Sequence, residues 1–209
     1  DIYFLVDTII EAEKSGTDTL SYATVFGLSE EDTKKYLAQM LEEEVDGCEL
    51  SISSFLLAEK DRQIAAAISS WVENAEGMPS SVLKGNLLGY TLPAENIKRA
   101  KELSQLLKEI HIENTPGTLQ LGLVYVAASF RGQNLVLELI EKQIQDSLQV
   151  TPGINDMFVQ VFGNNLPAIR AYEKAGFETV LEKTAVSPNI TDYLPSTKKI
   201  LMKRKLVNS

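Results

Sequence analysis

Two stretches of this 209-residue chain hold residues whose types and spacing can do chemistry. The first reads Leu121-Gly-Leu-Val-Tyr-Val-Ala-Ala-Ser-Phe-Arg-Gly-Gln-Asn-Leu-Val136. It is a β-branched apolar run, then a polar turn with Arg131 and Gly132, then apolar residues at helical spacing. Strand, tight turn and helix in that order aim free backbone N–H groups and a positive helix end at an anion. The donors would be the N–H groups from Gly132, Gln133, Asn134, Leu135 and Val136 to Leu137. The second stretch, Asn164 to Phe177, reads as a helix with both ends marked. Asn165 can cap it, Pro167 suits its first turn and Gly176 stops it. Asn165, Ala168 and Tyr172 lie at i, i+3 and i+7, so one face carries an amide and a phenol.

Together the two stretches resemble the GCN5-related N-acetyltransferase (GNAT) superfamily of acetyl-CoA-dependent acyltransferases. Asn165, Ala168, Tyr172, Gly176 and Phe177 fit its Asn-x-x-Ala-x-x-x-Tyr-x-x-x-Gly-Phe pattern without a gap. The pyrophosphate turn of that family is Arg/Gln-x-x-Gly-x-Gly/Ala. Here Arg131 is present, but Asn134 and Val136 stand where glycine and glycine or alanine are usual. Asparagine tolerates left-handed geometry, so Asn134 is a mild departure. Val136 puts branched bulk close to phosphate or sheet, and weaker cofactor binding or a displaced helix is the expectation.

The resemblance implies an α/β fold: a mixed, mostly antiparallel central sheet flanked by helices, with a splayed parallel strand pair forming the cofactor cleft. It implies that Val124 and Val126 offer main-chain groups to the pantetheine arm and the thioester carbonyl, one N–H acting as an oxyanion donor. Asn165 would supply an amide to the pantetheine, and Tyr172 would protonate the departing thiolate. No general base is assignable, because Thr118 to Val126 contains no carboxylate; Glu113, Glu73 or a water chain are the options. A CoA-binding module without turnover is the alternative to an active N-acyltransferase. A dinucleotide-binding oxidoreductase fails, because Gly132-Gln-Asn-Leu-Val lacks the second and third glycines of that fingerprint. The acceptor is a small-molecule or peptide amine of unread identity, and oligomeric state is open, a homodimer included.

The elements that must position these residues follow from periodicity. Residues 2–14 place apolar side chains at helical spacing and Gly16 ends them. Ser29-Glu-Glu-Asp starts a helix running to about Glu44. Strands are expected over Cys48–Ala58 and Gln63–Val72, turning at Lys60-Asp61. Gly77, Pro79, Gly85 and Gly89 break up Glu73–Pro93, which reads as a long loop. A helix over Ala94–Ile110 follows, with His111 at its end, where a cation would favour the dipole. Thr118–Val126 is the central strand, Arg131–Leu148 a helix and Asp156–Phe162 the next strand. Asn165–Ala175 is a helix, and Phe177–Val186 pairs antiparallel with Lys199–Val207, with Pro188 and Pro195 bracketing their connection.

Composition bounds the rest. The length suits one domain over 1–209, with helices and a first hairpin in 1–115 and the cofactor-binding core in 116–209. A formal charge of −9 argues against a nucleic-acid partner. No apolar run reaches the ~18–20 residues of a membrane span, so a soluble protein without a membrane partner is expected. The single cysteine, Cys48, cannot form an internal disulfide and fits a reducing cytoplasm. A single histidine excludes zinc sites built on several, and no metal is expected. The chain starts at Asp1 and shows no charged-then-apolar signal pattern. Acidic residues from Glu30 to Glu49 and the basic C-terminal end read first as solvated surfaces. An acidic groove attracting amines is the second reading, which sequence cannot locate.

Overall fold

The computed structural model describes residues 2–75 and 77–206. Helices α1 (Ile2–Lys14), α2 (Ser21–Phe26) and α3 (Glu30–Glu42) precede the hairpin of β1 (Phe55–Lys60) and β2 (Gln63–Val72). Helices α4 (Ser80–Thr91), α5 (Ala94–Glu102) and α6 (Ser104–Lys108) lead to β3 (Leu119–Val126). Then come α7 (Leu135–Val150), β4 (Asp156–Phe162), α8 (Leu166–Lys174), β5 (Glu178–Thr184) and β6 (Lys198–Lys205). The six strands lie in the order β1-β2-β3-β4-β6-β5, and β3–β4 is the parallel pair in an otherwise antiparallel sheet. The last strand, expected over Lys199–Val207, ends at Lys205, and Val207 lies outside the described residues.

Helices α7 and α8 bury Leu139, Ile140, Ile144 and Tyr172 with Ile68, Leu119, Leu121 and Val159. The N-terminal helices and α4 form another cluster around Ile9, Leu37, Leu41, Leu87 and Leu123. Leu119 and Leu121 therefore face one side of the sheet and Leu123 the other, although all three are odd-numbered. The cause is a bulge. Ile68 pairs with Val124 and Ser70 with Leu121, so Ser69 alone faces both Gly122 and Leu123. The extra residue shifts parity and brings Val124 and Val126 onto the α7 side with Leu119 and Leu121. The bulge requires glycine: a Cβ at Gly122 would stand 2.6 Å from a Trp71 ring carbon and 2.7 Å from Ser69 Oγ.

Three expectations are corrected. Glu73–Pro93 is not a long loop but carries α4, whose Leu83, Leu87 and Leu88 pack into the N-terminal cluster. That burial outweighs the ~1 kcal/mol that each of Gly85 and Gly89 costs a helix. The strand expected from Cys48 starts only at Phe55, because Cys48 and Leu50 are buried among the N-terminal helices and a 3-10 turn covers Ile52–Ser54. The helix expected over Ala94–Ile110 breaks at Leu103 into α5 and α6. The short helix α2 carried no readable signal.

Candidate active site

Strands β3 and β4 pair over only three positions, Leu119↔Met157 to Leu121↔Val159. Beyond them β3 stays paired with β2 as far as Val126, and β4 with β6 as far as Phe162. Each strand keeps its outer neighbour while the two part from each other, so their inner edges open into a cleft of about 1120 Å³. The N–H of Ala127 bonds the Ala65 carbonyl and that of Leu123 bonds Ser69 Oγ. The odd-numbered N–H groups of this stretch thus face β2. By the two-residue alternation of a strand, the main-chain groups of Val124 and Val126 face the cleft. Arg131 Nε donates to the Val126 carbonyl at 3.2 Å, so that acceptor is in use and the N–H groups remain.

All ten residues singled out from the sequence line this one cleft: Val124, Val126, Arg131, Gly132, Gln133, Asn134, Leu135, Val136, Asn165 and Tyr172. Gly132 (φ 79°) and Asn134 (φ 62°) both take the left-handed conformation, the latter as the residue preceding α7. The helix starts at Leu135, four residues later than periodicity placed it, with a 3-10 turn at Ala128–Phe130 ahead of it. Among the described residues, no backbone hydrogen bond is donated by the N–H groups of Gly132 to Val136, but that of Leu137, expected among the free donors, bonds the Asn134 carbonyl at 3.0 Å as the first turn of α7 closes. Three cations stand around them: Arg131 itself, Lys60 bonded to Gln133 Oε1, and Lys174 donating to Asn134 Oδ1 at 2.6 Å. Val136 is half-buried and packs against the core under α7, so part of its bulk is turned away from the cleft.

Asn165 caps α8, its Oδ1 accepting from the Ala168 N–H at 3.2 Å. Its amide also donates to Ser15 Oγ at 3.0 Å, and Asn164 donates to the Ser15 carbonyl. The start of α8 is thereby tied to the end of α1, a contact between residues about 150 apart that no local signal announces. Tyr172 is buried, its ring 6.0 Å from that of Phe177. Burial raises its phenol above the usual range, which keeps it protonated near neutral pH.

Farther along, the cleft is walled by Glu13, Glu49, Lys84, His111, Glu113 and Lys199. Sequence reasoning missed Glu13, Glu49, Lys84 and Lys199, which come from α1, the α3–β1 connection, α4 and β6. Lys84 Nζ lies 2.5 Å from Glu49 Oε1 and over the Tyr22 ring at 5.2 Å. For both, burial opposes ionisation, but the partner's charge prevails: Glu49 is held below the ordinary carboxylate range and Lys84 well above the ordinary amine range. Cys48 is fully buried and its thiol is pushed up by that burial, which makes it a packing residue.

Two expectations about ionisable groups change here. His111 lies beyond α6, which ends at Lys108. Burial, followed by the nearby Lys199 charge, lowers its pKa, so no helix dipole holds it as a cation. Glu73 is 3 % exposed and its carboxylate already has four donors. Trp71 Nε1 (3.0 Å), the Ser80 N–H (2.9 Å), Ser80 Oγ (2.6 Å) and Asn114 Nδ2 (3.1 Å) all point at it. It anchors the first turn of α4, and those donors occupy its carboxylate.

A model of the acetyltransferase (GNAT) family matches residues 22–177. The chain belongs to the GNAT family. Solved structures agree on the fold. An acetyltransferase crystal structure superposes with a TM-score of 0.61 at 17% identity, covering 99% of this chain and 93% of that one. An N-acetyltransferase from Staphylococcus aureus Mu50 gives 0.59 at 14%, covering 97% and 90%. A ribosomal-protein-alanine N-acetyltransferase from Brucella melitensis gives 0.53 at 15%, covering 99% and 94%. No curated protein sequence matches the chain. This GNAT acetyltransferase thus has the enzymatic class of its family, for which acetyl-CoA is the acyl donor. Among its described residues no helix is long and apolar enough to cross a membrane.

Proposed function

We propose that this GNAT protein moves an acetyl group from acetyl-CoA directly to a primary amine, the whole chain working as one acyltransferase unit. The observation that carries the reading is the parting of β3 and β4 beyond Leu121 and Val159. It opens main-chain donors at Val124 and Val126 opposite the α8 face of Asn165 and Tyr172. When bound, acetyl-CoA supplies a thioester whose acyl carbon an amine can attack. The carbon–nitrogen bond forms, the carbon–sulfur bond breaks, one proton leaves nitrogen and one reaches sulfur.

The unbonded N–H groups of Gly132 to Val136, with Arg131, Lys60 and Lys174 beside them, suit the pyrophosphate. A strand N–H of Val124 or Val126 serves as donor to the thioester oxygen. Tyr172, kept protonated by burial, delivers the proton to the leaving thiolate. Asn165 orders the end of α1 and the start of α8 around the pantetheine path. A cytoplasmic setting is part of the reading, supported by the single buried Cys48.

Isotope-labelled acetyl-CoA with an amine library tests this, label passing to an amine being the expected result. Added CoA should raise the melting temperature by mass action, a ligand at ~100 times its Kd contributing about 2.7 kcal/mol. A shift without transfer to any amine would support the non-catalytic binder instead; no shift at millimolar CoA would remove the cofactor site. Because Val136 packs on the core, Val136→Gly should not tighten CoA binding. It should cost about 2 kcal/mol in denaturant unfolding, from lost packing and a helical glycine. Tighter binding by that variant would restore Val136 as an obstruction.

A further inference from the structure

The far end of the cleft holds two charges of opposite sign that lack a direct ion-pair partner. Glu13 sits on the last turn of α1, half-buried and facing the cleft. Lys199 sits near the start of β6, paired in register with Phe162, the last residue of β4, and its ammonium lies over that ring at 5.6 Å. Among the described residues, neither has an ion pair within 4 Å or a side-chain hydrogen bond. The neighbouring charges are satisfied: Glu49 by Lys84 and Glu73 by four donors. Glu13 and Lys199 are close enough to influence each other's charge, yet they do not meet.

An unmatched charge taken partly out of water costs free energy that a ligand of opposite charge recovers. Burial weakens the Lys199 cation more than the Glu13 charge supports it, and an arriving carboxylate would restore it. His111 lines the cleft near Lys199 and adds a further donor. A simple amine would engage Glu13 and leave Lys199 uncompensated. A peptide or protein N-terminus would do the same, because its first carboxyl is an amide.

Resting on the acetyltransferase reading above, we propose that the acceptor carries both a primary amine and a carboxylate, as a free amino acid does, with Glu13 drawing the ammonium and Lys199 the carboxylate. Acetylation removes the charge on nitrogen but keeps the carboxylate. The product therefore keeps its hold on Lys199 and loses the attraction of Glu13, which favours exchange for fresh substrate.

The test compares initial rates on free amino acids, their decarboxylated amines and their carboxyl amides, using the full chain and labelled acetyl-CoA. Expected is a kcat/KM at least ~10-fold higher for a free amino acid than for its decarboxylated or amidated form, the scale of a lost partly buried charge pair. Lys199→Met should bring that ratio within about threefold of one, mainly through KM, while Lys199→Arg keeps the preference. Glu13→Gln should lower kcat/KM for charged amines with and without a carboxylate alike. Melting temperatures of the variants separate misfolding from lost recognition. Equal or better turnover of decarboxylated amines by the parent protein, or a preference that survives Lys199→Met, overturns the inference while leaving the acetyltransferase reading standing. No transfer to any amine, together with no thermal shift by CoA, overturns both.

Discussion

Tyr172→Phe is expected to lower turnover by about 10²- to 10⁴-fold with little change in CoA affinity, the cost of one positioned acid. The substitution keeps the ring, its burial and its contact with Phe177, and removes only the hydroxyl. Two features make the phenol suited to the task. It lies in the cleft wall on the same α8 face as Asn165 and Ala168. Its burial keeps it protonated near neutral pH, so the proton is in place before the thiolate departs. A thiolate leaving into such a site has a proton offered where water is scarce. Steady-state rates with any accepted amine, beside CoA titration of both proteins, decide the matter. Turnover within about threefold of the parent would show that the thiolate leaves without Tyr172. A fall in CoA affinity as large as the fall in turnover would make the tyrosine a binding residue instead.

Glu73→Ala should produce the largest loss of stability, about 3 kcal/mol, because it strands buried donors rather than removing a contact at the surface. Trp71 Nε1, Asn114 Nδ2 and both Ser80 donors would lose their acceptor, Ser80 being buried and the other two partly so. For a chain of this size the loss corresponds to a fall in Tm of roughly 6–12 °C. The first turn of α4 would also lose its anchor, and with it the placement of Lys84 against Glu49. Ser80→Ala, which removes one hydroxyl donor, should cost only about 1 kcal/mol. Thermal and denaturant unfolding of the two variants is the check. A Glu73→Ala Tm within about 2 °C of the parent's would mean that water replaces the carboxylate, and the account of Glu73 as the anchor of α4 would be wrong.

The fates of Glu73 and His111 show where residue-level reading stops. From sequence, each is an ionisable group near a suspected site. Only the packing reveals that one carboxylate is held by four donors from β2, α4 and Asn114, and that the imidazole lies past a helix end beside Lys199. Glu13, Glu49, Lys84 and Lys199 had no motif to mark them, since they come from four elements and meet only around the cleft.

Local chemistry in the sequence was enough for whatever depends on neighbours a few residues apart. Period-two and helical patterns placed α1, β2 and β4 to the residue. Asn165, Pro167 and Gly176 marked the ends of α8. Asn134 took the left-handed geometry that its side chain tolerates. Helix α4 was illegible because its two glycines argue locally against a helix, whereas its stability comes from burying Leu87 and Leu88 in the N-terminal cluster and from the Glu73 carboxylate at its first turn. The parity of β3 was equally hidden. A bulge is decided by how two strands pair, here by Ser69 reaching the Leu123 N–H across the gap that Gly122 leaves for Trp71. That pairing turns Val124 and Val126 to the cleft side, and the point at which β3 and β4 part is set by their outer partners, β2 and β6. Hydrogen bonds and periodicity within a segment are written in consecutive residues; the register, bulges and ion pairs that build this site depend on contacts between residues up to 150 positions apart, and only the folded chain brings them together.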